Sequence, residues 1–144
     1  MRRTPIHILA VEDDEVDAEF LQRHVQAQSP QYTLTVIPTP LEALRYLHSL
    51  AAQPSAHFPH LILLDLNLPG MNGLTFLHTL RQDPKLRRSV VFILTTSDLP
   101  SDKQAAYQAG VAGYVLKQNV REFMQWLDIF CEMVEFPPLS VSAC

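Results

Sequence analysis

Three short apolar runs in this chain each end at charged side chains that could take part in phosphoryl chemistry. Ile6–Val11 precedes Glu12, Asp13 and Asp14, residues 60–64 precede Asp65, and Gly113–Leu116 precedes Lys117. Carboxylate oxygens suit Mg²⁺, which proteins commonly hold through one or two carboxylates together with waters and phosphate. The pattern therefore predicts one pocket for a metal ion and a phosphoryl group.

Each of these charged residues also has an ordinary structural explanation. Acids favour a helix N-terminus, and we expect Asp14 to be such a cap, with Glu12 and Asp13 before it and facing the pocket. Asp65 lies too far ahead of the next helix to cap it. Beside Asp13 it would create a like-charge repulsion that a cation relieves. A lone lysine such as Lys117 is most often a surface side chain, but at a strand end facing carboxylates it becomes their counter-ion.

Hydroxyl groups follow the fourth apolar run, and they could add a donor to the same pocket. Thr95 ends this run and can donate its hydroxyl to a phosphoryl oxygen, while Thr96 and Ser97 are local competitors for that role.

Other chemistries have weaker support in the sequence. Pro59 lies between His57 and His60 and prevents a regular helix there, so the spacing of this pair does not indicate a helical metal site. The other histidines fall on separate predicted elements: His7, His24, His48 and His78. No glycine-rich phosphate loop, GxGxxG motif or Ser-His-Asp arrangement is present.

The bulk properties predict one domain, residues 1–144. Of the 144 residues 47% are apolar, which is enough for a sizeable core. The net charge of −4 offers no basic stripe for nucleic acid. The two cysteines, Cys131 and Cys144, form neither a metal spacing nor a disulfide framework. Because the apolar runs are also far shorter than a membrane span, we expect a cytoplasmic protein that binds neither membrane nor nucleic acid.

Five predicted strands alternate with five predicted helices. The strands are expected at Ile6–Val11, Tyr32–Ile37, 60–65, 90–94 and Gly113–Leu116. Such alternation implies an α/β fold, a doubly wound parallel sheet with helices on both faces. Ligands bind such sheets beyond the carboxyl ends of the strands, at the switch point of the strand order.

Capping and apolar spacing predict how two of the helices begin and which face they bury. Thr39-Pro40-Leu41-Glu42 combines a cap, a proline at the first helical position and a returning glutamate. Asn119 is expected to cap the last helix in a similar way. The expected inward stripes are Leu41, Leu44, Leu47 and Ala51 in the second helix and Phe123, Trp126, Leu127, Phe130, Cys131 and Val134 in the last.

Together these residues closely resemble the receiver domain of two-component response regulators, over about residues 6–133. The motifs that carry the resemblance are Val11-Glu-Asp-Asp14, residues 63–73 (LLDLNLPGMNG), Leu94-Thr-Thr96, Ala109-Gly110 and Gly113-Tyr-Val-Leu-Lys117. Each motif is weak alone, but five in this order and spacing are highly specific. The tracts LLDLNLP, LTTS and FPPL are similar to those of stand-alone regulators paired with bacterial phytochrome-type histidine kinases.

The resemblance implies a flavodoxin-like sheet of order 2-1-3-4-5 and a phosphoacceptor rather than an enzyme. Asp65 would attack a phosphohistidine on a partner histidine kinase and become an aspartyl phosphate. Mg²⁺ would be held by Glu12, Asp13, Asp65 and the backbone carbonyl of Asn67. Asn67 also occupies a position at which the family tunes dephosphorylation.

The resemblance also assigns the residues around the phosphoryl group. Thr95, Thr96 and Lys117 would bind its oxygens. Thr95 and Tyr114 would carry the conformational switch, and Ser97 occupies the second position that tunes dephosphorylation.

Three features depart from the usual receiver pattern. Gln118 follows the lysine where receivers usually have proline, so we expect a differently shaped loop. The loop at residues 53–59 is longer than in compact receivers, and residues 135–144 form an apolar C-terminal extension. Because no output domain follows, we expect action through docking or onward phosphotransfer. Residues 130–139 are expected to mediate a homodimer, and packing of this segment back on the sheet stays open as the alternative.

Two competing functions share part of this residue set. A haloacid-dehalogenase-like phosphatase also uses an aspartate nucleophile with Mg²⁺, threonine and lysine. That family has a second acid at the position of Asn67, and its nucleophile follows the first strand, whereas Asp65 follows the third. It also uses a cap domain to enclose the substrate. A receiver that only docks and is no longer phosphorylated would not need the complete set of acids, threonine and lysine.

Overall fold

The computed structural model describes residues 5–28, 31–53, 58–68 and 70–138. The strands are β1 (Ile6–Val11), β2 (Tyr32–Ile37), β3 (Leu61–Leu64), β4 (Val90–Thr95) and β5 (Gly113–Leu116). The helices are α1 (Glu15–Ala27), α2 (Pro40–Ala51), α3 (Gly73–Gln82), α4 (Pro100–Gln108) and α5 (Val120–Met133), with a 3₁₀ turn at Lys117–Asn119. Within these ranges no helix is both long and apolar enough to cross a membrane. Part of the predicted long loop (54–57) and the end of the extension (139–144) lie outside the described residues.

The five strands form one parallel sheet in the order β2-β1-β3-β4-β5, as expected. The registers pair Val11 with Leu64 and Thr95 with Leu116, so the carboxyl ends of neighbouring strands reach the same edge. The chain runs from β1 outward to β2 and then returns to β3 on the other side of β1. The switch point therefore lies between the ends of β1 and β3, where this class of fold binds its ligands.

β3 is buried on both faces, which explains why its sequence is continuously apolar. Ile62 and Leu64 point into the layer covered by α2, α3 and α4. Leu61 and Leu63 point into the layer covered by α1 and α5. Asp65 therefore follows a strand that is held from both sides.

The capping residues predicted for the first two helices are confirmed, and the one predicted for the last helix is wrong. Asp14 accepts a hydrogen bond from Asp17 N (2.9 Å), and Thr39 accepts one from Glu42 N (3.2 Å). Asn119 has φ −105° and ψ 14° and makes no side-chain capping bond within the described part of the chain. A 3₁₀ turn runs directly into α5 and takes the place of an extended cap residue.

The predicted inward stripes of α2 and α5 need correction at two positions. Leu41 is 46% exposed, whereas Ala43 is fully buried beside Leu44 and Leu47. Trp126 is 48% exposed, and Met124 is fully buried instead. The rest of each predicted stripe is at least partly buried, so the buried face is displaced toward one side by less than the roughly 100° that separates consecutive helical residues.

Candidate functional site

Two of the predicted acids lie at neighbouring strand ends, directly beside the switch point. Glu12 follows β1 and its backbone N–H donates to Ile37 O (3.0 Å), while Asp65 N donates to Val11 O (3.3 Å). The sheet hydrogen bonding therefore continues one residue beyond each strand and fixes the backbone of both acids. Both side chains are buried, at 4% and 5% exposure.

Carboxylate oxygens of Glu12, Asp13 and Asp65 lie within 4.8 Å of one another. This set offers only hard oxygen ligands, which fits Mg²⁺ or Mn²⁺ and not a soft metal ion. Asp13 is exposed while the other two are buried, so the cluster opens to solvent on one side. Three carboxylates at this spacing favour a divalent cation, because like charges so close repel one another.

Lys117 reaches this cluster from the end of β5. Its Nζ lies 2.9 Å from Glu12 Oε1 and 2.8 Å from Asp65 Oδ2. The lysine side chain is only 14% exposed. Burial lowers the pKa of Lys117, but its hydrogen bonds to Asp17, Asp65 and Glu12 outweigh that effect and raise the pKa above the ordinary lysine value. Lys117 is therefore charged at neutral pH and acts as the counter-ion of these carboxylates.

A third partner of Lys117 was missed in the sequence. Asp17 Oδ2 lies 2.7 Å from Lys117 Nζ, although 100 residues separate the two along the chain. Asp17 lies in the first turn of α1, where an acid is already explained by the helix dipole. The only sequence feature that singles out Asp17 is its position three residues after the Asp14 cap. That position indicates a role at the helix N-terminus and not in the pocket.

The two oxygens of Asp65 have different partners, which fixes the orientation of its carboxylate. Oδ1 accepts a hydrogen bond from Asn67 N (3.0 Å), and Oδ2 accepts one from Lys117 Nζ. A Cβ added at Gly73, the first residue of α3, would lie 2.7 Å from Leu66 Cα and 2.8 Å from Asp65 O. Glycine at this position therefore lets α3 begin in direct contact with the loop that carries the acid.

Burial also changes the acidity of Glu12. Desolvation is the largest effect and raises the pKa of Glu12, while hydrogen bonds from Lys117 and from Asp14 N lower it. The nearby charge of Asp65 raises it further, and the net pKa lies above the ordinary value for glutamate. A cation beside Glu12 would favour its ionised form.

The hydroxyl side of the site forms a chain of hydrogen bonds that starts at Thr95. Thr95 is fully buried at the end of β4, and its Oγ1 accepts a hydrogen bond from Ser97 N (3.3 Å). The carbonyl of Ser97 accepts one from Tyr114 OH (2.9 Å), and the Ser97 hydroxyl donates to Asp102 Oδ2 (2.5 Å). The structure thus connects Thr95 to Tyr114 through Ser97.

Thr96 and Asn67 occupy the exposed rim. Asn67 Nδ2 lies 3.4 Å from Thr96 Oγ1, at the long end of hydrogen bonding. This contact links the loops that follow β3 and β4. The predicted metal and phosphoryl-binding residues therefore lie at the carboxyl edge of the sheet, whereas Tyr114 lies within β5, opposite Ile93.

The histidines do not gather into a metal site within the described residues. His7 and His60 stack with ring centroids 5.5 Å apart at the opposite edge of the sheet, and His7 N donates to His60 Nδ1 (2.9 Å). His24 instead pairs with Asp128 (3.2 Å), and His48 pairs with Asp83 (3.1 Å). His57 lies outside the described residues.

Comparison with known proteins gives a family match across most of the chain. The response regulator receiver domain family matches residues 8–127. The response regulator Rcp1 of Synechocystis is 33% identical over 122 residues, covering 84% of this chain and 83% of that protein.

Solved structures agree with that match. The Mn²⁺-bound form of Rcp1 superposes with a TM-score of 0.82 at 32% identity, covering 93% of this chain and 100% of that one. The phosphorylated cyanobacterial phytochrome response regulator RcpA superposes with a TM-score of 0.84 at 26% identity, covering 94% and 100%. These relatives favour the receiver interpretation over the phosphatase alternative. The chain therefore belongs to the receiver domains of two-component response regulators and is related to the regulators of phytochromes.

Proposed function

We propose that this receiver accepts a phosphoryl group on Asp65 from a histidine kinase of the phytochrome type, with Mg²⁺ as cofactor. One observation carries the proposal. The buried carboxylate of Asp65 is oriented by Asn67 N on one oxygen and by Lys117 Nζ on the other, beside the oxygens of Glu12 and Asp13. The proposed nucleophile, its counter-ion and a carboxylate cluster suited to a divalent cation thus lie side by side at the carboxyl edge of the sheet.

The chain's own residues supply positioning and charge neutralisation, which are the main requirements of phosphoryl transfer. An Asp65 oxygen forms the new O–P bond as the N–P bond of the phosphohistidine breaks, and the departing imidazole nitrogen takes the bonding electron pair. The Lys117 ammonium and the hydroxyls of Thr95 and Thr96 bind the phosphoryl oxygens. Bound to Glu12, Asp13, Asp65 and the Asn67 carbonyl, Mg²⁺ would neutralise the negative charge that gathers there.

We propose that the switch uses the hydrogen-bond chain from Thr95 to Tyr114. Phosphorylation adds a charge of roughly −1.5 to −2 at pH 7. When the Thr95 hydroxyl turns toward a phosphoryl oxygen, it gives up the bond from Ser97 N. The Ser97 carbonyl that holds Tyr114 then shifts as well, and the tyrosine turns inward behind the threonine. Ser97 is part of this path, and Asn67 contacts the neighbouring Thr96; we propose that the side chains at positions 67 and 97 tune the lifetime of the phosphoryl group.

Incubation with acetyl phosphate and Mg²⁺, followed by intact mass measurement, tests the phosphoacceptor function. The native chain should gain one phosphoryl group, and Asp65→Asn should gain none. Asp98→Asn, which changes an exposed aspartate in the loop after β4, is the matched control and should gain one. Absence of any gain in a folded protein that binds Mg²⁺ would favour the docking-only alternative.

We further propose a homodimer formed through the last helix and the C-terminal extension. Trp126, Ile129 and Met133 lie on one face of α5 and are 48%, 60% and 77% exposed. Phe136, by contrast, packs against Phe130 and His60 with ring centroids 6.1 and 5.5 Å apart. The start of the extension thus packs on its own domain, and the exposed face of α5 is the stronger part of the proposed interface.

Light scattering of native protein and Ile129→Glu tests this interface. A dimeric native protein and a monomeric variant would support it, while a native monomer both with and without acetyl phosphate would refute it. Gln104→Glu adds the same charge at an exposed position of α4, in the helix layer on the opposite face of the sheet from α5, and serves as the control.

We propose that the protein acts in the cytoplasm. We also propose that it binds a histidine kinase and does not bind nucleic acid. Cys131 is a buried core thiol, which suits a reducing compartment. The net charge of −4 disfavours binding to a polyanion. Fractionation of host cells and a nucleic-acid binding assay at low salt check the two statements.

A further inference from the structure

Lys117 has one more carboxylate partner than the proposed phosphotransfer assigns to it. An ammonium group carries three donor hydrogens. Its three partners are Glu12, Asp65 and Asp17, at 2.9, 2.8 and 2.7 Å. Asp17 makes the shortest of these contacts, and it comes from α1 and not from a strand end.

The position of Asp17 is itself well fixed. Its backbone N–H donates to the Asp14 cap (2.9 Å), which anchors the first turn of α1. Its side chain is 40% exposed, whereas the side chains of Glu12 and Asp65 are almost fully buried. Asp17 therefore stands at the outer side of Lys117, between the lysine and solvent.

Glu12 and Asp65 serve both Lys117 and the proposed cation cluster, but Asp17 serves only the lysine. The cluster comprises Glu12, Asp13 and Asp65. An ammonium group and a divalent cation that bind the same two carboxylates are close together and repel each other. This repulsion is stronger in a partly buried site than in water, because the effective dielectric constant is lower. A separate partner for the lysine reduces that conflict.

We propose that Asp17 is a positioning residue that holds Lys117 beside the pocket while Glu12 and Asp65 engage the metal ion. Without Asp17, the lysine can pair only with the carboxylates that the cation needs, so the two compete directly. With Asp17 present, the ammonium stays within reach of the phosphoryl group without blocking the cation. The inference rests on the proposed Mg²⁺-dependent function.

The simpler explanation is that Asp17 is only a helix N-terminal acid, favoured by the helix dipole. Glu15 lies in the same first turn, carries the same charge and is exposed. It therefore provides a matched control, because Glu15→Gln removes one negative charge from the same turn without touching the partner of Lys117.

Calorimetric titration with Mg²⁺ of the unphosphorylated full chain tests the proposal. Asp17→Asn should weaken Mg²⁺ binding about tenfold, the equivalent of about 1.4 kcal/mol. Glu15→Gln should change the affinity less than about twofold, as expected for an exposed and screened charge. Asp17→Glu, which keeps a carboxylate within reach of the lysine, should restore most of the lost affinity. Thermal unfolding of each variant confirms that it is folded.

A double-mutant cycle with Lys117→Met separates action through the lysine from a general charge effect. Lys117→Met alone should bind Mg²⁺ more tightly, and adding Asp17→Asn should then change the affinity less than about twofold. Equal losses in Asp17→Asn and Glu15→Gln, or a full tenfold loss that persists without the lysine, would overturn the role of Asp17. If the native chain binds no Mg²⁺ at all, the proposed function itself fails, which is a distinct result.

Discussion

Removal of the Lys117 charge should destabilise the metal-free protein and make its stability depend on Mg²⁺. Lys117→Met keeps much of the side-chain volume but leaves Glu12 and Asp65 buried without their shared counter-ion. These carboxylates are 4% and 5% exposed. Breaking a buried ion pair by removing one partner costs about 3–5 kcal/mol. The exposure of Asp13 and Asp17 opens the cluster to solvent, and we therefore expect about 2–3 kcal/mol at pH 7.5.

Urea denaturation without metal measures this loss of unfolding free energy. In thermal unfolding of a chain of this size, the same loss corresponds to a fall of about 5–10 °C in Tm. Saturating Mg²⁺ should recover much of the loss, because a ligand that binds only the folded state stabilises it and here also replaces the missing positive charge. Lys103→Met is the control, since Lys103 pairs with Asp98 on the surface and should have no measurable effect. A metal-free Lys117→Met protein as stable as the native chain would refute the counter-ion role.

Three further predictions follow from the geometry of the site and its supports. Gly73→Ala should destabilise the protein by about 1–3 kcal/mol in urea denaturation, because the added Cβ would lie 2.7 Å from Leu66 Cα; an unchanged midpoint would show that α3 shifts freely. Arg81→Met should cost about 2–3 kcal/mol, because the guanidinium donates to the carbonyls at positions 87, 89, 109 and 110, whereas Arg88→Met on the surface should be neutral. Because the pKa of Glu12 is raised, Glu12 takes up its proton at a higher pH than an exposed glutamate does. The Mg²⁺ affinity measured by calorimetry should therefore begin to fall at that higher pH. If Glu12→Gln left the dependence of Mg²⁺ affinity on pH unchanged, this prediction would be wrong.

The convergence of the site was predictable because parallel strands end at a common edge. The sequence places four charged or hydroxyl residues at strand ends: Glu12, Asp65, Thr95 and Lys117. Their proximity then follows from the parallel sheet and not from any local pattern. The bounds of β2 and β5 were likewise predicted correctly, since each strand is an apolar or alternating run bounded by turn residues.

The contact between Asp17 and Lys117 could not be predicted in this way. It joins residues 100 positions apart, and it depends on how α1 lies against the end of β5 and on the reach of one flexible lysine. The same limit applies to the phase of a helix. Leu41 and Trp126 fit an apolar spacing, but the packing of the helix against its neighbours decides which edge of the apolar stripe is buried. Asn119 failed as a cap for a related reason, because the preceding 3₁₀ turn is a feature of the loop and not of the helix start.

Asp65 is the residue that we expect to receive the phosphoryl group. Borohydride reduction of the protein phosphorylated by acetyl phosphate and Mg²⁺, followed by peptide mass spectrometry, identifies the aspartyl phosphate by converting that residue to homoserine. We expect conversion at Asp65 alone. Conversion at Asp13 or elsewhere, with Asp65 unmodified in a protein that binds Mg²⁺, would contradict it.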